Sequence, residues 1–300
     1  MSEMLIYALK DGAPVSIMEV ESGLKCGCVC PVCNARLVAK HPNPNSKRPK
    51  ADHFAHHQKD SCAYGYQTSL HLAAKDILSK AKTMVIPAVD TKTPEGFGKK
   101  RLSEEKIITI DKVELEKQID NIIPDVVVYT GGKRLLVEIY VTHCIDDVKL
   151  AKIKESGLST IEIDLHEKRD IITREELQDL LLHSSETKKW KYNAYENSVS
   201  RVIHEVADKR NAEFDMIEYM FKCRSCPIPK KDRLVRTPWG NEYVHGCEAC
   251  NYFWGLDGDV NDFWSCFNDS GLAPVLCTQR LGIANIDDLR RLQKEKAQKG

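Results

Sequence analysis

The chain has 300 residues, of which 42% are hydrophobic and 29% charged, enough apolar material for two globular domains. Its 44 basic and 44 acidic residues cancel, which excludes an overall positive charge as the means of binding nucleic acid. No apolar run approaches the roughly 20 residues that span a membrane, and residues 1–20 lack the layout of a secretory signal. We therefore expect a cytoplasmic protein whose 12 cysteines bind metal rather than form disulfides.

The N-terminal part of the chain predicts short strands. Residues 4–10 and 14–20 have strand character on either side of the turn Asp11-Gly12. Residues 41–50 form a polar loop rich in proline and asparagine. We therefore expect a small β module at residues 1–64.

This module carries a set of candidate zinc ligands. Cys30-x₂-Cys33 supplies one half of a zinc site. We expect His53 and Cys62 to complete it, with His56 as the substitute. The remaining candidates are His57, Cys26 and Cys28, and the two cysteines can compete for the ion.

The middle of the chain alternates helices with strands. Helical spacing of apolar residues predicts a helix over residues 67–82, with Gln67, His71 and Lys75 as a polar stripe on another face. Further predicted elements are strands at 84–89 and 106–113, a helix at 146–156 ended by Gly157, a strand at 159–165 and a helix at 173–183. The crossover through the 146–156 helix favours a parallel pair of strands.

Residues 123–143 predict a β-hairpin that carries two acids. Two β-branched runs flank Gly131-Gly132, and a two-residue loop there places Asp125 directly opposite Glu138. Two carboxylates in an apolar sheet repel each other and lose hydration, and a divalent cation between them relieves both costs. The pair therefore predicts a Mg²⁺ or Mn²⁺ site. The alternative is a surface acid pair, or acids bridged to nearby lysines.

A composition shift follows Ser184. Residues 188–210 predict a long polar helix, and residues 287–299 a charged terminal helix. Between them, Cys223-x₂-Cys226 and Cys247-x₂-Cys250 have the spacing of a four-cysteine zinc ribbon. With the N-terminal site, this predicts about two structural zinc ions per chain.

Local basic segments are the candidates for contact with nucleic acid. One lies between the two cysteine pairs and the other in the loop before residue 102. Their residues are Lys230, Lys231, Arg233 and Arg236, with Trp239 nearby, and Lys99, Lys100 and Arg101.

Over residues 1–185 the chain resembles the CoiA-like competence protein family. The residues that carry the resemblance are Cys30-Pro-Val-Cys33, His53-Phe-Ala-His56, Ser69-Leu-His71 with Lys75 and Leu78, and then Asp125 and Glu138. The resemblance implies a zinc-containing N-terminal module followed by a nuclease domain of the PD-(D/E)XK superfamily. The predicted element order matches the helix–three strands–helix–strand core of that superfamily, and Pro124-Asp125 matches its first motif.

The chain also departs from the superfamily pattern. Tyr140 stands where the superfamily usually has a lysine, two residues after the second acid, so Lys149 or Lys152 is expected to reach in instead. Gln67 stands where the first helix often carries an acid. His71 and His143 are candidate contacts to water or phosphate, and the Ile139 carbonyl is a candidate metal ligand.

We therefore expect an α/β protein with a restriction-endonuclease-like mixed sheet flanked by helices. The expected domains are a zinc module (1–64), a nuclease domain (65–185) and a helical linker with the zinc ribbon (186–300). The expected function is metal-dependent hydrolysis of DNA, with RNA as the other nucleic-acid substrate, in DNA processing, competence or phage defence. The alternatives are a catalytically degenerate fold that binds nucleic acid and a subunit that depends on a protein partner. The expected protein partners are those of a larger complex or further copies of the chain in a homo-oligomer.

Overall fold

A computed structural model gives the structure of the chain. It describes residues 5–41, 52–58, 65–92, 99–141, 144–166, 174–216, 220–236, 242–257, 267–268 and 270–299. The described strands are β1 (Tyr7–Lys10), β2 (Ala13–Ser16), β3 (Leu37–Lys40), β4 (His53–His56), β5 (Thr83–Ile86), β6 (Val89–Asp90), β7 (Arg101–Ser103), β8 (Lys106–Thr109), β9 (Lys112–Leu115), β10 (Val126–Thr130), β11 (Lys133–Tyr140), β12 (Thr160–Asp164), β13 (Lys188–Tyr192), β14 (Asp208–Asp215), β15 (Met220–Cys223), β16 (Leu234–Arg236), β17 (Glu242–Val244), β18 (Phe253–Leu256) and β19 (Leu272–Cys277). The described α-helices are α1 (Gly65–Lys80), α2 (Asp147–Ser156), α3 (Arg174–Gln178), α4 (Ala194–Val206) and α5 (Ile286–Lys299).

The chain forms two compact units. The first contains Met1–Pro87 and Glu105–Asn193, and the second contains Ala88–Glu104 and Ala194–Gly300. The β6–β7 pair therefore leaves the first unit and belongs to the second. None of the described helices has the length and apolar character needed to cross a membrane.

The N-terminal part of the first unit is built on two antiparallel strand pairs, β1–β2 and β3–β4. The predicted turn at Asp11-Gly12 joins β1 to β2, with both residues at positive φ. Ser16 and Glu19 form a capping box on the short helix that follows. A core containing Cys26, Cys28 and Cys30 fills the space between these elements.

A five-stranded mixed sheet in the order β13-β12-β11-β10-β9 is the centre of the first unit. Gly131 and Gly132 have φ of 52° and 75°, as a two-residue hairpin loop requires. The register of β10 with β11 pairs Thr130 with Lys133, as predicted. β11 and β12 run parallel because α2 connects them, and β12 pairs antiparallel with β13.

The two faces of this sheet are covered differently. Alternate residues such as Val126, Val137 and Ile161 pack with the apolar side of α1 in the largest core cluster. The residues between them, including Val127 and Leu136, form a smaller cluster on the opposite face. Glu138 has the same alternation as Leu136, so it projects from this second face.

Residues 188–210 are not one helix, and that prediction is wrong. They form the edge strand β13, the helix α4 and only the beginning of the strand β14. The polar composition suggests a solvent-exposed helix, but long-range contacts hold the first part of this segment as a strand. β13 pairs with β12, and Lys188 donates to the Val85 carbonyl at 2.6 Å. The predicted strand at 106–113 is likewise two strands, β8 and β9.

The second unit contains a four-stranded antiparallel sheet in the order β15-β14-β19-β18. The two-stranded pairs β6–β7 and β16–β17 belong to the same unit. The predicted C-terminal helix is present as α5.

Replacing Ile161 with alanine tests the central sheet. Ile161 is fully buried, so truncation should lower the free energy of unfolding by roughly 2–5 kcal/mol. Ile107 is 70% exposed, and Ile107→Ala is the matched control that should cost little. Denaturant titration measures both, and equal losses would contradict the packing described here.

Candidate active site and metal centres

Asp125 lies just before β10, and its carboxylate has three polar partners. The backbone N–H of Ile139 donates to its Oδ2 at 2.9 Å. His71 Nε2 lies 3.0 Å from Oδ2, and Lys75 Nζ lies 3.0 Å from Oδ1. His71 and Lys75 are one turn apart on α1, so one helix face supplies both.

Lys75 joins a second acid to this group. Its ammonium lies 2.8 Å from Glu116 Oε1 and is buried. The backbone N–H of Glu116 also donates to the Asp125 carbonyl at 3.1 Å. Lys75 is therefore held between two carboxylates, and Glu116 is a residue that sequence reasoning missed.

Glu138 is 5% exposed and lies beside Asp125. The register pairs Val126 with Val137, so the next pair along places Asp125 next to Glu138, as predicted. Lys149 Nζ lies 2.7 Å from Glu138 Oε1. Lys149 is in the first turn of α2, where the Asp146 side chain accepts its backbone N–H.

The two acids have opposite pKa shifts. Burial raises the pKa of Glu138 to about 7, and the charge of Asp125 adds to this while Lys149 opposes it. Burial also acts to raise the pKa of Asp125, but His71, the Ile139 N–H and Lys75 outweigh it and hold that pKa well below its ordinary value. Below neutral pH the pair therefore carries one proton, on Glu138, which a bound cation would displace.

A further acid, Glu162, lies beside Glu138 on the next strand, and the sequence analysis did not predict it. It is the register partner of Glu138 on the parallel strand β12 and is 3% exposed. Its Oε1 lies 2.6 Å from Lys191 Nζ, and its Oε2 accepts the Ile145 N–H at 2.9 Å. The alternation of the predicted strand at 159–165 was the available signal, once the parallel register was known.

The other predicted residues of this site have different outcomes. Among the described ion pairs, Lys152 contacts neither acid. Tyr140 stacks on His166 with ring centroids 5.2 Å apart. Gln67 lies in α1, but its side chain is outside the described part of the chain, as is all of His143.

The N-terminal metal ligands converge on one point. The ligand atoms of Cys30, Cys33 and His56 lie within 4.8 Å of one another, and Cys33 Sγ is 3.4 Å from His56 Nε2. This cluster can hold a metal ion, and its donor set suits zinc. His56, the predicted substitute, thus takes the place expected for His53.

Strand geometry explains this exchange of histidines. Successive side chains of β4 point to opposite faces, so His56 shares the inward face of Phe54 while His53 shares that of Ala55. Cys62 lies outside the described residues. Cys26 and Cys28 are buried, and their thiols donate to the carbonyls of Leu37 and Cys26 rather than joining the cluster.

The four C-terminal cysteines also face one site. Cys223, Cys226, Cys247 and Cys250 line one cavity of the second unit. The N–H of Cys250 donates to the Cys247 carbonyl at 2.9 Å, which gives the second pair a tight turn. Among the described residues, only the N-terminal cluster has all its ligand atoms within 4.8 Å of one another. Zinc at this second site therefore remains a prediction.

The predicted basic residues divide into engaged and exposed ones. Lys100 donates to the carbonyls of Asn251 and Ala284 and lies over the Trp254 ring, so its ammonium is engaged within the second unit. Arg101 pairs with Asp90 and Glu104. Lys99, Lys230 and Lys231 are exposed. Arg233 donates to the Ile228 carbonyl. The side chains of Arg236 and Trp239 lie outside the described part of the chain.

Comparison of the chain with protein-family models, curated proteins and solved structures finds no match. The resemblance to the CoiA-like family therefore stays a prediction that rests on the motifs themselves.

Paired histidine variants test the N-terminal metal centre. His56→Ala should lower the zinc content by about one ion per chain, because it removes a ligand from the cluster. His53→Ala should retain the zinc, since His53 points away from it. Elemental analysis of protein purified without added metal measures both, and zinc loss only in His53→Ala would contradict this assignment.

The variant Glu138→Gln tests whether Glu138 holds the proton, through the pH dependence of the free energy of unfolding. A folded-state pKa of about 7, above the ordinary 4.5, stabilises the fold below pH 4.5, and this contribution is lost as pH rises through 7. The loss corresponds to roughly 3 kcal/mol in the metal-free protein. Asp125 has a lowered pKa, so its contribution is lost only on acidification below its ordinary range.

Urea titrations in EDTA between pH 5 and 8 should therefore show a smaller fall in stability for Glu138→Gln than for wild type. Gln has a similar shape and cannot titrate. Identical pH dependence of the two proteins would show that Glu138 does not hold the proton.

Proposed function

We propose that the first unit is a metal-dependent nuclease that hydrolyses phosphodiester bonds, with DNA as its main substrate. One observation carries this proposal: Asp125, just before β10, and Glu138, on the neighbouring strand β11, meet beside a lysine delivered by the next helix. The strands β9, β10 and β11 form an antiparallel run in the central sheet and are followed by α2 and the parallel strand β12, an arrangement that supports a restriction-endonuclease-like core and membership of the CoiA-like family.

Asp125 and Glu138 are the residues that would hold Mg²⁺ or Mn²⁺. Carboxylate oxygens are the ligands these ions prefer. Burial, with the charge of Asp125, raises the pKa of Glu138, and a bound cation would offset both effects. When bound, the ion lowers the pKa of a water and stabilises charge on the phosphate. His71 and Lys75 occupy the Asp125 oxygens, so one of these contacts has to open on binding.

The remaining polar groups have distinct tasks under this proposal. Lys149 supplies the positive charge that Tyr140 cannot, because its ammonium already lies at Glu138. Ionisation of Glu138 releases one proton, and the Ile139 N–H keeps Asp125 oriented. His71 is placed to hold a water or a phosphate oxygen near Asp125.

A second function, a degenerate nuclease that only binds nucleic acid or a partner protein, has its own support. The acids Asp125, Glu138 and Glu162 each have a lysine partner: Lys75, Lys149 and Lys191. Such ammonium groups can replace a metal ion and stabilise the acids permanently. This is the alternative of acids bridged to nearby lysines.

Cleavage assays separate the two functions. Linear, circular and single-stranded DNA, and RNA, are incubated with Mg²⁺, Mn²⁺ or EDTA. Asp125→Asn and Glu138→Gln should each lower the rate by on the order of 10³-fold, since the metal contributes several kcal/mol. Lys149→Ala should lower it by roughly 10²–10³-fold, whereas Lys152→Ala, one turn further on, is the control that retains activity.

Activity that survives Asp125→Asn would refute the nuclease site. Nucleic-acid binding without cleavage by wild type in any metal would favour the degenerate binder. Tyr140→Lys adds a check on the lysine: it should be neutral or harmful if Lys149 already performs this role.

Exposed lysines should carry the phosphate contacts. The double variant of Lys230 and Lys231 to alanine should weaken binding and reduce the salt slope of log K by up to roughly 2. The same change at Lys294 and Lys296, also exposed, is the charge-matched control. Fluorescence anisotropy from low to moderate salt measures both, and equal effects would exclude a local binding surface.

A further inference from the structure

A fifth cysteine lines the C-terminal thiol cavity. Cys277, at the end of β19, lines the same cavity as Cys223, Cys226, Cys247 and Cys250. It lies 27 residues beyond the last pair and has no partner at Cys-x₂-Cys spacing, so the ribbon motif does not predict it. Its thiol is half-buried, forms no disulfide and has the Arg210 side chain as a hydrogen-bond partner.

The strand register places Cys277 on the same face of the sheet as Cys223. Ala212 pairs with Cys223, and Asp208 pairs with Cys277, both across β14. Asp208 and Ala212 are four residues apart on this strand, so they point to one face. Directly paired residues share a face as well, and both thiols therefore project from the same side.

Both cysteine pairs are tied to this face by hydrogen bonds. Arg210, between Asp208 and Ala212, donates to the Ser225 carbonyl inside the first pair at 2.9 Å. The Phe253 N–H donates to the Cys250 carbonyl at 3.1 Å, and Phe253 is itself a register partner of Cys277. The next residue, Thr278, donates its N–H to the Tyr252 carbonyl at 3.0 Å. Cys277 is therefore anchored where the second pair ends.

We propose that Cys277 is a reserve ligand of a five-thiol zinc centre. Zinc takes four ligands in a structural site, so five facing thiols leave one in excess. When a cysteine of either pair is lost, its zinc–sulfur bond is replaced by one to Cys277, whose thiol releases its proton to water. This proposal rests on the predicted zinc ion of the second unit and does not depend on nuclease activity.

Zinc content tests the proposal in the full-length chain. Each cysteine of the two pairs is changed singly to serine, with Cys277 present and with Cys277→Ser added. At least one single variant should keep the wild-type zinc content and lose about one zinc when Cys277→Ser is added. Cys277→Ser alone should keep its zinc. Cys144→Ser, at an exposed thiol of the first unit, is the control that changes nothing in either background.

A second measurement covers variants that fail to fold. Wild type and Cys277→Ser both keep the four paired cysteines, and their zinc release to an excess of a coloured chelator is compared. Wild type should release zinc several-fold more slowly, because the reserve thiol holds the ion when one ligand detaches. Equal release rates, together with zinc loss from every single variant regardless of Cys277, would overturn the proposal.

Discussion

Buried negative charge in the central sheet is the constraint on which the first unit depends. Asp125, Glu138 and Glu162 lie at neighbouring positions, and the two glutamates are almost fully buried. Each buried carboxylate costs several kcal/mol in lost hydration unless a charge and hydrogen bonds compensate it. Three lysines from α1, α2 and β13 provide the charges, so these elements have to pack where they do.

This charge balance links the fold to its proposed chemistry. The pairs Lys75–Asp125 and Lys149–Glu138 stabilise the acids without a metal, and the same lysines have to yield or reorient when a cation enters. A site organised in this way can be a working nuclease or a fold in which ammonium groups have replaced the metal. The difference lies in the free energy of exchanging one cation for another, which depends on how far Lys75 and His71 can retreat.

The thiol clusters lie where the apolar cores are small, and metal binding there would add to the free energy of folding. The N-terminal core is built from short strands and buried cysteines, and the C-terminal sheet has a cavity lined by thiols. Zinc in sites of this kind contributes roughly 10–16 kcal/mol to folding. Lys100 contributes polar contacts to the second unit. Its ammonium donates to two backbone carbonyls and lies over the Trp254 ring.

The sequence by itself determined the local features. Gly131 and Gly132 set the hairpin loop and with it the register that brings Asp125 to Glu138, and cysteine spacing marked both thiol sites, because these signals act within a few residues. Only the tertiary structure decided the rest. The parallel register of β11 with β12 brought Glu162 beside Glu138. The packing of one face of β4 against the N-terminal core selected His56 over His53, and a distant strand carried Cys277 to the cavity. Each of these depends on contacts between residues far apart in the chain, which no local pattern of charge or hydrophobicity records.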